Sequence, residues 1–221
     1  MPQLEIRTKT KHDPVAEIPI VDAYMRWALL AAEEVVSRPG LEQLLRQIQM
    51  EQLIDHYPPN TLTATGKFTF ADYANLSAGL LTSYGRAGKS MLLRVGHLSL
   101  QYAVEQQAQV FGTAAMRISK ILPIPMQLRL GIETIHAGYR VLMPQMKMRI
   151  EDRGAAWAYI DETCPVCAGR EANEPMCWAG TGMLQEAAHW QTGLDFDIEE
   201  VECRAAGGQA CIYEVSKKPK E

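Results

Sequence analysis

The sequence predicts an α+β fold, with helices packed on an antiparallel sheet. Three observations predict it. Between residues 20 and 138, apolar side chains recur every three to four positions, which is the spacing of amphipathic helices. After residue 139 the period drops towards two, as in half-buried strands. Near the C-terminus, Gly207-Gly208 separates two alternating segments, a hairpin signal. Helices first and an antiparallel sheet later, with one helix inserted, is the α+β pattern.

In chain order, residues 1–19 are polar with two prolines and read as a tail. Residues 20–37 place Val21, Met25, Leu29, Ala32 and Val36 at helical spacing, and Pro39-Gly40 ends that helix. Residues 41–55 form a second helix, with Leu41, Leu44, Leu45, Ile48 and Leu53 on its apolar side. Tyr57-Pro58-Pro59-Asn60 breaks it and marks a boundary between an N-terminal tail with helical extension (1–60) and a main ligand-binding domain (61–221). Helices are expected over 70–84, 88–111, 114–122 and 126–138. Val141 and Met143 alternate, Pro144 interrupts, and Met146, Met148 and Ile150 alternate in the other phase, which suggests a bulged or edge strand. A strand over 155–162 puts Trp157 and Tyr159 on one face. A cysteine-bearing loop follows at 163–174, then a helix over 176–190 and strands over 195–203 and 210–216.

The 221 residues, 47% of them apolar, can bury a full core, and a net charge of −4 argues against a nucleic-acid surface. The N-terminus lacks the apolar stretch of a secretory signal, and no run is long enough to span a bilayer. A cytoplasmic, reducing location is therefore expected, where thiols serve as metal ligands more often than as disulfides. All five cysteines lie between Cys164 and Cys211. Cys203 and Cys211 flank the glycine turn, and Cys177 opens the last helix. Three soft sulfurs with a carboxylate or imidazole suit tetrahedral zinc in a structural role. The fourth ligand stays open at this point. Glu199 shares a strand face with Cys203, Glu200 does so only if the strand is bulged, and His189 is a further alternative. Cys164-Pro-Val-Cys167 is a competing C-x-x-C pair.

Other motifs carry less. Ser83-Tyr-Gly-Arg-Ala-Gly-Lys-Ser90 nearly spells a phosphate loop, but serine replaces its first glycine and a helix precedes it, so a helix–turn–helix joint is the better reading. No G-x-S-x-G or G-x-G-x-x-G is present, so neither a serine hydrolase nor a dinucleotide fold has support, and no catalytic residue is assigned. Trp157, Tyr159, Met146 and Trp178, with His97 and His136 as polar contacts, are candidates to line a pocket for a flat apolar guest.

Glu200-Val-Glu-Cys203-Arg-Ala-Ala-Gly-Gly-Gln-Ala-Cys211-Ile-Tyr-Glu-Val resembles the closing segment of the 4-vinyl-reductase-like, or hydrocarbon-binding, domain family. Cys164-Pro-Val-Cys167 and Pro-Met-Cys177 resemble its middle part. The resemblance is strong over about 140–216 and weaker over about 66–139. It implies a usually dimeric fold shared with haem-based nitric-oxide sensors and TRAPP vesicle-tethering subunits. Phenol-sensing activators of the family hold zinc with three cysteines and a glutamate, at positions that match Cys177, Cys203, Cys211 and Glu200. Trp157 falls near a pocket tryptophan of that group. A segment like the activators' ATPase or DNA-binding parts is not expected. Other members belong to bacteriochlorophyll biosynthesis and were named for reducing a chlorophyllide vinyl group. The expectation is a carrier or sensor that binds a small apolar or tetrapyrrole-like ligand, is a homodimer, and has a structural zinc. A chlorophyllide 4-vinyl reductase or its accessory subunit is one alternative, and an assembly or tethering protein is another.

Overall fold

The computed structural model describes residues 4–110 and 121–220. Its helices, among the described residues, are α1 (Asp22–Gln47), α2 (Phe70–Tyr84), α3 (Arg86–Gln106), α4 (Ile124–Leu142) and α5 (Trp178–Thr192). The strands are β1 (Ile6–Thr8), β2 (Met148–Asp152), β3 (Ala156–Asp161), β4 (Arg170–Ala172), β5 (Phe196–Glu202) and β6 (Cys211–Pro219). One four-stranded sheet runs β2-β3-β6-β5, antiparallel throughout, and β1 pairs with β4 in a separate two-stranded ribbon. The fold is α+β, as expected.

Each helix follows from its sequence, with instructive departures. Thr69 and Asp72 form a reciprocal capping box that starts α2 at Phe70. The two helices expected over 20–55 are nearly continuous. Pro39 has no N–H and would clash with the carbonyl four residues earlier. The chain breaks at Ser37, with φ 65°, and resumes as helix to Gln47. Residues 139–142, expected as strand, extend α4 instead, and β2 begins only at Met148. There Tyr139 and Leu142 continue α4's buried stripe, so packing overrides a two-residue alternation. The helix expected over 114–122 falls almost wholly on residues outside the described ones.

Residues 1–19, read as a tail, contain β1. Ile6 pairs with Ala172 and Thr8 with Arg170. A short 3-10 turn follows at Pro14–Glu17, capped by Asp13, whose Oδ1 accepts from the Val15 N–H at 3.1 Å.

The tightest joint is the crossing of α3 and α5. A Cβ added to Gly96 would lie 2.1 Å from the Ala179 carbonyl oxygen, and one added to Gly182 would lie 2.0 Å from that of Leu93. Only glycine permits this approach. It draws α5 against α3 and sets Cys177, the residue before α5, deep in the interior.

Candidate metal centre and interior cavity

Three local structures deliver the cysteines to one place. The C-x-x-C pair sits on a 3-10 turn, Pro165–Cys167, with Pro165 at its first position. Cys177 caps α5. Cys203 and Cys211 bracket the β5–β6 connection, where Gly207 takes φ 96°. All five thiols are buried and unoxidised. The Sγ separations are 3.7 Å for Cys164–Cys177, 3.5 Å for Cys167–Cys211, 3.6 Å for Cys177–Cys211 and 3.7 Å for Cys177–Cys203. Zinc–sulfur bonds of about 2.3 Å at tetrahedral angles put sulfurs roughly 3.8 Å apart. The thiols therefore already stand at the edges of a coordination tetrahedron.

Two donor sets meet the distance requirement for one ion. One is Cys164, Cys167, Cys177 and Cys211, and the other is Cys177, Glu200, Cys203 and Cys211. A buried cluster of four cysteines could thus hold a metal ion. The second set contains the residues expected from sequence. Glu200 reaches it because the β5–β6 register slips between Glu200 and Glu202, a bulge that turns Glu200 inward and leaves Glu199 exposed. Its Oε2 accepts from the Cys177 N–H at 2.8 Å, and its Oε1 is buried without a partner among the described residues. His189 lies elsewhere, with Nδ1 2.9 Å from Asp195 at the surface.

The electrostatics fit a cation. Burial first, then the charges of Cys203 and Cys164, push the Glu200 carboxyl up to about 9. Hydrogen bonds from Cys167, Cys177 and Cys211 hold the Cys203 thiol far below its ordinary value. A bound dication reverses the penalty on Glu200 and keeps every thiol ionised. The Arg204 guanidinium stands beside the cluster. Its Nη2 donates to Asp13 Oδ1 at 3.1 Å, and its backbone N–H donates to Cys211 Sγ at 3.5 Å. Asp13 also accepts from the Gly169 N–H at 3.1 Å, so the N-terminal segment is strapped across the cysteine loop.

Against the cluster lies an enclosed cavity. Tyr24, Tyr73, Tyr139, Tyr159 and Tyr213 surround it, with Met146, Met183 and Cys164. The rings touch in sequence: Tyr24 to Tyr73 at 5.1 Å, Tyr24 to Tyr139 at 5.4 Å, and Tyr159 to Tyr213 at 6.1 Å between centroids. Tyr213 Oη is 3.7 Å from Cys164 Sγ, so one residue faces both sites. The cavity measures about 20 Å³, room for about one water.

Of the residues expected to line a pocket, Tyr159 and Met146 do so. The cavity wall does not include the other four. Trp157 donates from Nε1 to the Pro125 carbonyl at 3.2 Å and lies under Lys217, 3.9 Å from the ring centroid. Trp178 stacks beneath Lys89 at 5.4 Å. His97 contacts Glu186 and Gln185 at 3.1 and 3.0 Å. His136 is half-buried on α4, and burial followed by the nearby Arg140 charge lowers its pKa. The reason is geometric. Trp157 sits over the sheet's edge and Trp178 on the outer side of α5, whereas the interior is filled by tyrosines from α1, α2 and α4. Sequence reasoning missed those tyrosines. They occupy ordinary apolar-face positions, and only the meeting of three helices makes a cage of them. Asp13 and Arg204 were also missed, since 191 residues separate them.

Comparison with known proteins agrees with this architecture. Residues 148–217 match the family model of the 4-vinyl-reductase domain. No curated protein sequence matches the chain. Among solved structures, the Fe(II) unliganded H-NOX protein from K. algicida aligns with TM-score 0.57 and 14% identity, over 91% of this chain and 98% of that one. An H-NOX protein from S. oneidensis in the Fe(II)NO ligation state aligns with TM-score 0.52 and 12% identity, over 89% and 99%. An oxygen-binding H-NOX domain related to soluble guanylate cyclases gives TM-score 0.55 and 12% identity, over 90% and 96%. At such identities the likeness is one of fold. The cysteine-bearing C-terminal part of the chain is 4-vinyl-reductase-like, and its fold is related to that of the H-NOX proteins.

Proposed function

We propose that the chain is a ligand-binding module, a carrier or sensor, whose interior site is framed by a structural zinc held through Cys177, Glu200, Cys203 and Cys211. One observation carries the reading: the tyrosine-lined cavity and the thiol cluster share a wall, through Cys164 and Tyr213. A metal that fixes the cysteine loop thereby fixes the cavity, and a guest that moves Tyr213 alters the loop. The family match over the C-terminal part and the H-NOX fold support a module of this kind.

The lining favours a small apolar guest with one polar group, which the ring of hydroxyls would meet. Sites for drug-sized ligands hold about 300–1,000 Å³. A tetrapyrrole therefore requires the helices to part, whereas a single aromatic ring requires only rotamer changes. The test is titration with phenol and with protoporphyrin, alongside mass spectrometry of molecules retained by the native protein. Saturable binding that is lost in Ser99→Leu, which fills the cavity, is the expected result. No retained molecule and no saturable binding of either probe would overturn the reading. In that case the narrow interior favours a second reading, an assembly protein whose surface does the work. Oxidation of NAD(P)H or reduced ferredoxin coupled to loss of a chlorophyllide vinyl group would instead assign the module to a vinyl reductase or its accessory subunit. A homodimer is part of the proposal, and sedimentation equilibrium tests it.

A further inference from the structure

We propose that the cluster holds two divalent ions, in a binuclear centre bridged by the thiolates of Cys177 and Cys211. This rests on the metal reading above and extends it. The two donor sets are not rivals for one position. They share two sulfurs, Cys177 and Cys211, and each adds two donors of its own, Cys164 with Cys167 and Glu200 with Cys203. Two tetrahedra joined along one edge have this composition: six donors, of which two bridge.

The distances agree with such sharing. The common edge, Cys177 to Cys211, is 3.6 Å. On one side of it Cys164 stands 3.7 Å from Cys177 and Cys167 3.5 Å from Cys211. On the other, Cys203 stands 3.7 Å from Cys177. Metal–sulfur bonds of about 2.3 Å over that edge place the two ions roughly 3 Å apart. An iron–sulfur cluster does not fit the same positions. Its inorganic sulfides would stand between thiols that here touch one another.

A single ion leaves the site half used. In the set with Glu200, it leaves Cys164 and Cys167 buried, packed on ligand sulfurs with no metal of their own. In the four-cysteine set, it leaves Cys203 idle and Glu200 Oε1 buried without a partner. Two ions engage all six donors. The charges also approach balance. Five thiolates and one carboxylate carry six negative charges, and two divalent ions carry four positive. The Arg204 guanidinium, with Nη1 buried and no hydrogen-bond partner among the described residues, supplies one more beside them. The amide at the start of α5 adds the positive end of a helix next to Cys177. Soft thiolates select zinc-like ions for both positions.

Each ion has its own structural task. The first ties the C-x-x-C turn to α5 and β6, and so fixes the cavity wall at Cys164. The second ties the β5–β6 connection to α5.

The experiment is zinc titration of the metal-free, reduced full chain, read by native mass spectrometry, with cadmium-113 NMR of the cadmium-loaded protein. Two ions per chain are expected, with two cadmium resonances coupled through the shared sulfurs. Cys164→Ser/Cys167→Ser is expected to stay folded by circular dichroism, to bind one ion and to show one resonance. Saturation of the folded wild type at one ion per chain would overturn the binuclear centre and leave the single structural zinc standing. Two uncoupled resonances would overturn the bridge. Acid-labile sulfide with iron would also overturn it. A folded chain that binds none would overturn both readings.

Discussion

Cys177 is the residue on which most depends, because its sulfur stands within 3.7 Å of three other thiols and its amide holds Glu200. Replacing it by serine is predicted to abolish metal retention and to lower the melting temperature by well over 10 °C, because structural zinc contributes on the order of 10 kcal/mol to folding. Cys203→Ser is predicted to weaken the site on the hairpin side and also to lower the melting temperature sharply. Differential scanning calorimetry with metal analysis checks both. Asp13 makes a second residue-scale case. It is buried, yet its pKa is lowered, because the Gly169 and Val15 amides and the Arg204 charge outweigh its desolvation. A carboxyl with a depressed folded pKa stabilises the fold above its unfolded value of about 3.9 and loses that contribution as pH falls through the folded value. Asp13→Asn is therefore predicted to cost about 3 kcal/mol near neutrality, as breaking a buried ion pair does. The gap to wild type should close below about pH 4. Thermal melts of both proteins from pH 7 to pH 2.5 test this. A constant gap would deny Asp13 its charged role.

Among the elements, the α3–α5 crossing carries the sharpest demand, since backbone oxygens occupy the space of the missing Cβ atoms at Gly96 and Gly182. Gly182→Val is predicted to destabilise by about 3 kcal/mol or more, through overpacking against an oxygen that cannot rotate away. Denaturant unfolding measures it, and a loss under about 1 kcal/mol would show that the helices can separate cheaply. The same crossing shows what the sequence reveals and what it hides. The helical spacing of Phe70, Tyr73, Leu76 and Leu80 is visible in the chain, and all four are buried on α2. The β5–β6 hairpin was legible from Gly207-Gly208. The bulge that brings Glu200 inward was only one of three alternatives, because a register slip depends on the partner strand. Strand β1 was not legible at all. Its pairing with β4 spans more than 160 residues, and three polar-flanked residues carry no periodic signal.

At the scale of the whole molecule, the chain folds back on itself around the cysteine loop. The N-terminal strap, the start of α5 and the C-terminal hairpin converge there, and the tyrosine cavity lies directly behind. The metal ligands were legible because cysteines are rare and crowded into one stretch. The cavity was not, because its tyrosines come from distant helices and look like ordinary core. Metal binding and cavity shape should therefore be coupled: removal of metal is predicted to raise hydrogen exchange in β6 and around Tyr213 before α1 and α2 are affected.

The most direct measurement is the zinc content of the chain purified without added metal, followed by its melting temperature before and after chelation. At least one ion per chain, and a fall of well over 10 °C when it is removed, are predicted. A chain that carries no metal and melts at the same temperature with or without chelator would contradict the structural role given to the cluster.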